Sequence, residues 1–166
     1  MAKRHVFFSF HYNNDCWRAG QVRNMGKVDD SSTFSDNDWE EVKEKSDAKI
    51  EEWINDQLQK RSCLVLLIGE KTADRKWINY EIKKAVELDK GIVGIYVHKL
   101  KDKDGKQANK GKNPFSSFTY KGKNLSNFIK CFDSSFASSN YVYDDIKNNI
   151  EDLIEYGIEN KPSTWQ

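Results

Sequence analysis

A fold of alternating strands and helices around a largely parallel sheet is what this sequence predicts, and two observations carry the prediction. Three short, nearly continuous apolar runs, VFFSF (Val6 to Phe10), CLVLLI (Cys63 to Ile68) and IVGIYV (Ile92 to Val97), show no in-and-out alternation. Strands buried on both faces look like this. Between and after the runs, apolar residues recur at helical spacing, so the chain reads β-α-β-α-β.

The first strand is the run at Val6 to Phe10, and a weaker one is expected around Thr33 and Phe34. Ile50, Trp53, Ile54 and Leu58 then follow helical spacing behind Ser46, a suitable N-cap. After the Cys63 run, Ile78, Ile82, Ala85 and Val86 repeat the pattern behind Asp74, read as the cap. The Ile92 run is followed by a stretch from His98 to Phe115 that is rich in lysine and contains Gly105 and Gly111. It is too long for a bare turn and reads as an insertion or lid. Another weak strand is expected around Phe128 to Phe132. Tyr143, Ile146, Ile150, Leu153 and Ile154 mark a last helix over 143–157, with Gly157 placed to stop it and Pro162 beyond. The order predicts one domain over 1–166, with a flavodoxin-like, doubly wound parallel sheet of about five strands and helices on both faces.

Such sheets bind ligands beyond the carboxyl ends of their strands. Ser9, Phe10, His11 and Tyr12 are so placed after the first strand, and Gly69 after the Cys63 run.

Composition narrows the function classes. Lys and Arg number 27 against 26 Asp and Glu, so the net charge of +1 provides no global attraction for nucleic acid or an anionic membrane. Charge is uneven locally. Val28 to Glu44 holds seven acids and one base, and Lys99 to Lys112 holds six lysines and two aspartates. Runs of this kind read first as solvated loops. Cys16, Cys63 and Cys131 form no C-x-x-C, which suits free thiols in a reducing compartment. His5, His11 and His98 have no metal-ligand spacing, so no metal is expected. The amino terminus has too short an apolar run for a signal peptide, and no stretch approaches a membrane span. A cytoplasmic location is the simplest expectation. G-x-G-x-x-G, G-x-x-x-x-G-K-[ST] and G-x-S-x-G are all missing, which argues against a dehydrogenase, a P-loop NTPase and a Ser-His-Asp hydrolase.

The stretch KWINYEIKKAV carries the chemical signal. At helical spacing Glu81 falls about 85° from the centre of the apolar stripe, at its edge, with Trp77 one turn earlier. A carboxylate there is open to partial desolvation and hence to a functional role. The plainer reading pairs Glu81 with Lys84 on a solvated face and leaves Trp77 in the core. A single carboxylate is too few for an ordinary glycosidase, which uses two. It is enough where the leaving group departs neutral without an acid, as nicotinamide does from NAD, because one carboxylate can stabilise the oxocarbenium ribose. Phe8, Phe10, Tyr12, Trp39, Trp77 and Tyr80 are available as aromatic walls.

The opening KRHVFFSFHYNND, the W-x-x-x-E within LIGEKTADRKWINYEI, and KGKNPF at Lys110 to Phe115 together resemble TIR domains. The resemblance is closest to the TIR-like proteins of the bacterial Thoeris anti-phage system, and covers roughly the first 115 residues in order. It implies a TIR fold and NAD cleavage at Glu81, with NAD as substrate and no further cofactor. It also implies conversion to a cyclic ADP-ribose isomer on infection, a messenger for a separate effector protein. Phage-derived trigger and homo-oligomeric assembly are partners such a system leaves open. By the same resemblance Phe8, Ser9, Phe10, His11 and Tyr12 form the pocket floor, Trp77 and Tyr80 flank the catalytic carboxylate, and Asn113 belongs to the NPF segment.

Signalling TIR adaptors carry a proline in the loop after the second strand, whereas no proline precedes Pro114 here. The acidic stretch Ser35 to Glu44, with Trp39, stands in that place. A non-catalytic TIR interaction module and a nucleoside deoxyribosyltransferase-like enzyme remain the alternatives. Intact Glu81 and the missing proline favour NAD chemistry over the module.

Overall fold

The computed structural model describes residues 3–29, 42 and 44–166. Strands β1 (Val6–Ser9), β2 (Cys63–Ile68) and β3 (Gly91–Tyr96) fall on the three apolar runs to within one residue at either end. Every residue in them is buried, as continuous apolar strands require. Helices α1 (Tyr12–Arg23), α2 (Asp47–Gln59) and α3 (Lys76–Glu87) alternate with these strands. A short antiparallel hairpin, β4 (Thr119–Tyr120) and β5 (Lys123–Asn124), follows, then β6 (Cys131–Phe132) and the long helix α4 (Ser139–Glu159).

The main sheet is parallel, in the order β1-β2-β3-β6. Phe8 sits opposite Val65, Val65 opposite Val93, and Ile95 opposite Phe132. Val28 forms a parallel bridge with Arg4 just ahead of β1. The His5 carbonyl accepts from Ser62 on the β2 side, and successive carbonyls in a strand point to opposite sides, so Val28 runs along the other edge of β1. The sheet therefore has four strands and this bridge among the described residues. The strand expected around Thr33 and Phe34 lies outside them. The one expected around Phe128 to Phe132 is confined to Cys131–Phe132.

Side-chain alternation splits the core into two layers. Phe8, Val65, Leu67, Val93 and Ile95 pack on one face with Ala19 and Val22 of α1 and with Val142, Ile146, Ile150 and Leu153 of α4. Phe7, Leu64, Leu66 and Ile68 pack on the other with Ile50, Ile54 and Leu58 of α2 and Ile78, Ile82 and Ala85 of α3. This is the α/β arrangement the pattern predicts, with helices on both faces.

Three local readings change, and two elements are added. Ser46 caps α2 as expected, its hydroxyl accepting from the Lys49 amide, but Asp74 does not cap α3. Arg75 takes that position, while Asp74 has φ 66° in the turn before it. The last helix starts four residues before Tyr143 and runs past Gly157, which is no terminator. A Cβ on Gly157 would stand 2.6 Å from Val93 Cγ1, so the glycine is where α4 lies close on β3. Helix α1 escaped the pattern because its buried residues are Asp15, Arg18, Ala19 and Val22, half of them charged. The β4–β5 hairpin turns through Lys121 and Gly122, with φ of 51° and 79°, the two positive values that a two-residue I′ turn needs.

The lysine-rich stretch from His98 is laid against the body of the domain. Arg18 donates to the Leu100 and Lys106 carbonyls at 2.7 and 2.9 Å. Gln107 donates to the carbonyls of Lys99 and Ala137, and the Asn109 amide to Glu70. The stretch ends in a 3-10 turn, Pro114–Ser117, whose Phe115 is fully buried.

Candidate active site

Strand parity positions the first half of the site. Ser9 shares its face of β1 with Phe7, the face on which α2 and α3 pack, so its hydroxyl points toward α3 at the strand's carboxyl end. Helix geometry supplies the second half. Glu81 lies at the rim of the stripe formed by Ile78, Ile82 and Ala85 and is only 5% exposed. The two meet, with Ser9 Oγ donating a hydrogen bond to Oε2 of Glu81. Lys84, the expected surface partner, pairs with Glu87 instead, at 3.2 Å. Glu81 is thus a buried carboxyl without a cationic partner among the described residues.

Burial pushes the Glu81 carboxyl up from the ordinary 4.5 to about 8, and the Ser9 hydrogen bond opposes only part of that. At neutral pH the Glu81 carboxyl is mostly the neutral acid. A positive charge arriving beside it would favour the carboxylate.

A cavity of about 320 Å³ opens over this pair. Its walls are Phe8 to Asn13 from the end of β1 and the start of α1, and Arg75 to Ile78 with Glu81 from α3. The volume is at the small end of the roughly 300–1,000 Å³ of ligand sites, about right for a nucleoside. Phe10 and Tyr12 stack at 6.4 Å between ring centres. His11 is the residue before α1, and its carbonyl accepts from the Asn14 and Asp15 amides. Its Nδ1 is buried and has no hydrogen-bond partner among the described residues. Burial lowers its pKa first, and the charges of Arg75 and Lys71 lower it further, so the imidazole is neutral near pH 7.

The sequence-predicted residues divide as follows. Phe8, Ser9, Phe10, His11, Tyr12, Trp77 and Glu81 come together around the cavity. Tyr80 stands behind Trp77, edge-on at 5.8 Å, with its hydroxyl donating to Asn55 of α2 at 2.7 Å. Asn113 is placed elsewhere. Its Oδ1 caps the 3-10 turn by accepting from the Phe115 amide at 2.9 Å, and its Nδ2 faces Cys131 Sγ at 3.9 Å. Trp39 lies outside the described residues. Asn13, Arg75, Lys76 and Ile78 line the cavity and were not singled out beforehand. The signal for the basic pair was present in RKW, where both directly precede Trp77 at the start of the same helix. Among the described residues no group of His, Cys, Asp and Glu is arranged to hold a metal ion, and no helix is long and apolar enough to cross a membrane.

A family model described as "Thoeris protein ThsB, TIR-like domain" matches residues 7–102, which include both halves of the site. A protein of Bacillus cereus (strain MSX-D12), named "Putative cyclic ADP-D-ribose synthase ThsB1", is 41% identical over 125 residues. The match takes in 72% of this chain and 65% of that protein, so the chain spans just under two thirds of the relative's length.

Proposed function

Because this chain belongs to the TIR-like family of the Thoeris protein ThsB, we propose that it is an enzyme that cleaves NAD at the nicotinamide glycosidic bond and closes the product into a cyclic ADP-ribose isomer. The observation that carries the reading is the buried Glu81 carboxyl, hydrogen-bonded by Ser9 at the floor of a nucleoside-sized cavity. The name of the similar Bacillus protein, a cyclic ADP-D-ribose synthase, supports it.

The chemistry follows from that carboxyl. The nicotinamide ring of NAD is a cation, and its arrival beside Glu81 drives off the proton that burial had held there. The C1′–N bond then breaks, its electron pair neutralises the ring, and nicotinamide leaves without needing an acid. Glu81, now a carboxylate, stabilises the oxocarbenium ribose left behind. Trp77 and the Phe10–Tyr12 pair provide flat apolar walls for the ring, and they keep water from the cation. A nucleophilic atom at the other end of the same ADP-ribose then attacks C1′ and releases a proton, which closes the ring. His11 completes the wall beside the ribose.

The product on this reading is a diffusible messenger for a separate effector protein, made in the cytoplasm in answer to a phage-derived trigger. The test is to incubate purified protein with NAD, with and without lysate of phage-infected cells, and follow nicotinamide and cyclic ADP-ribose by mass spectrometry. NAD left intact in both reactions by a folded protein would refute the reading.

A further inference from the structure

Among the residues lining the cavity Glu81 is the single acid, and it is at the buried end. The cations, Arg75 and Lys76, stand on the same helix at its exposed first turn. They are not equivalent. Lys76 is occupied, with its Nζ bonded to Asp47 and lying 4.8 Å from the centre of the Trp77 ring. Among the described residues Arg75 uses only Nε, which donates to the Lys71 carbonyl at 3.2 Å, and no carboxylate pairs with its guanidinium. Its charge already reaches into the site, since it is the larger of the two charges that depress His11.

We propose that Arg75 is the diphosphate-binding residue of this site and that, together with Glu81 at the other end of the cavity, it sets how the dinucleotide lies. The proposal rests on the NAD reading above. NAD carries a positive ring at one end of a ribose and a negative diphosphate at the other. The cavity presents an acid inside and, outside, a guanidinium that no carboxylate of the described residues pairs, separated by six residues, about 9 Å along the helix. A volume of about 320 Å³ accepts the nicotinamide-ribosyl half and leaves the diphosphate at the rim, where Arg75 stands. A planar guanidinium can hold phosphate oxygens through paired hydrogen bonds, which an ammonium cannot do. The reversed ligand would set the neutral adenine in place of the cationic ring and forgo the attraction between that ring and Glu81.

The test uses two probes that do not depend on cleavage. ADP-ribose has the diphosphate and lacks nicotinamide, whereas nicotinamide riboside has the ring and lacks phosphate. Calorimetric titration of Arg75→Gln is expected to show ADP-ribose binding weakened about ten- to a hundred-fold, with nicotinamide riboside within twofold of the parent. Arg75→Lys should fall between, and added salt should weaken ADP-ribose binding to the parent more than to the glutamine variant. Equal ADP-ribose affinity in parent and Arg75→Gln, or no binding of ADP-ribose to the parent, would overturn the proposal. Equal loss for both probes at an unchanged melting temperature would also overturn it, by making Arg75 a wall of the cavity. If Glu81→Gln still cleaved NAD, the catalytic reading would fall while an Arg75-dependent grip on ADP-ribose stood.

Discussion

Ser9 and Glu81, 72 residues apart in sequence, share a hydrogen bond at the point where the end of β1 meets the buried edge of α3. The hydroxyl favours the charged form of the acid, and burial opposes it more strongly. The balance between them sets when the carboxylate exists.

The pH dependence follows. Glu81 in the folded protein keeps its proton up to about 8, and the ordinary value is 4.5. If the carboxylate is the reacting form, kcat/KM for NAD should rise about tenfold per pH unit below 8 and level off above it. Folding stability should move the other way. The unfolded chain gives up this proton near 4.5 and the folded one near 8, so this group's contribution is lost as pH rises through that window. Rates from pH 5.5 to 9.5, with melts over the same range, check both slopes. A kcat/KM that is flat below pH 7 would remove Glu81 from the role.

Glu81→Gln should keep the fold and lower NAD cleavage by at least about 10²–10³-fold, because an amide retains the shape and cannot offset the ribosyl cation. The variant should also lose the decline in melting temperature between pH 5 and 8. Nicotinamide release at the parental rate would return Glu81 to a structural role.

Ser9→Ala tests the hydroxyl alone. Ser9 is 1% exposed and the alanine fits its place, so stability should change little. Without the hydrogen bond the Glu81 pKa rises further, and the rate profile should shift to higher pH. At pH 7 the expected loss is about ten- to a hundred-fold, partly recovered in alkaline buffer. An equal loss at every pH would show that Ser9 acts other than through the carboxyl.

His11 and Tyr12 should separate from Phe7. His11→Ala and Tyr12→Ala remove cavity walls after the strand and should weaken binding more than stability. Phe7 is 1% exposed, packed with Ile50, Ile54 and Leu58 and edge-on to Trp53, so Phe7→Ala should cost about 3–5 kcal/mol of folding. Urea unfolding with NAD titration on the three variants decides it, and unfolding of His11→Ala comparable to that of Phe7→Ala would count against the assignment.

What the sequence disclosed follows a physical rule. Apolar continuity exposed β1, β2 and β3, and helical spacing exposed α2, α3 and the body of α4, because in these elements burial is done by apolar side chains. Glu81 was legible as an acid at the edge of such a stripe. Its partner was not, because the Ser9 contact depends on how β1 and α3 dock. Helix α1 was hidden since Asp15 and Arg18 occupy its buried face. Arg75 was passed over because an exposed arginine looks the same in sequence whether it faces bulk water or a cavity mouth.

The pair that hid α1 supplies the last prediction. Asp15 is fully buried and Arg18 is 2% exposed, with 3.0 Å between Oδ1 and Nη1. Arg18 also holds the Leu100 and Lys106 carbonyls, which ties the lysine-rich stretch to the helix that begins at the cavity. Burial raises the Asp15 pKa and Arg18 restrains that rise. Arg18→Met leaves a buried carboxyl without its counter-charge and frees both carbonyls, so it should destabilise by about 3–5 kcal/mol. Asp15→Asn with Arg18→Met removes the charge from both sides and should recover part of that loss in urea unfolding. Room for repair is small on the other side of Asp15, where a Cβ on Gly69 would lie 2.0 Å from Oδ2. Gly69→Ala should therefore weaken folding as well, by forcing apart the end of β2 and α1. A double variant no more stable than Arg18→Met alone would mean that the pair acts through the carbonyls it holds and not through its charges.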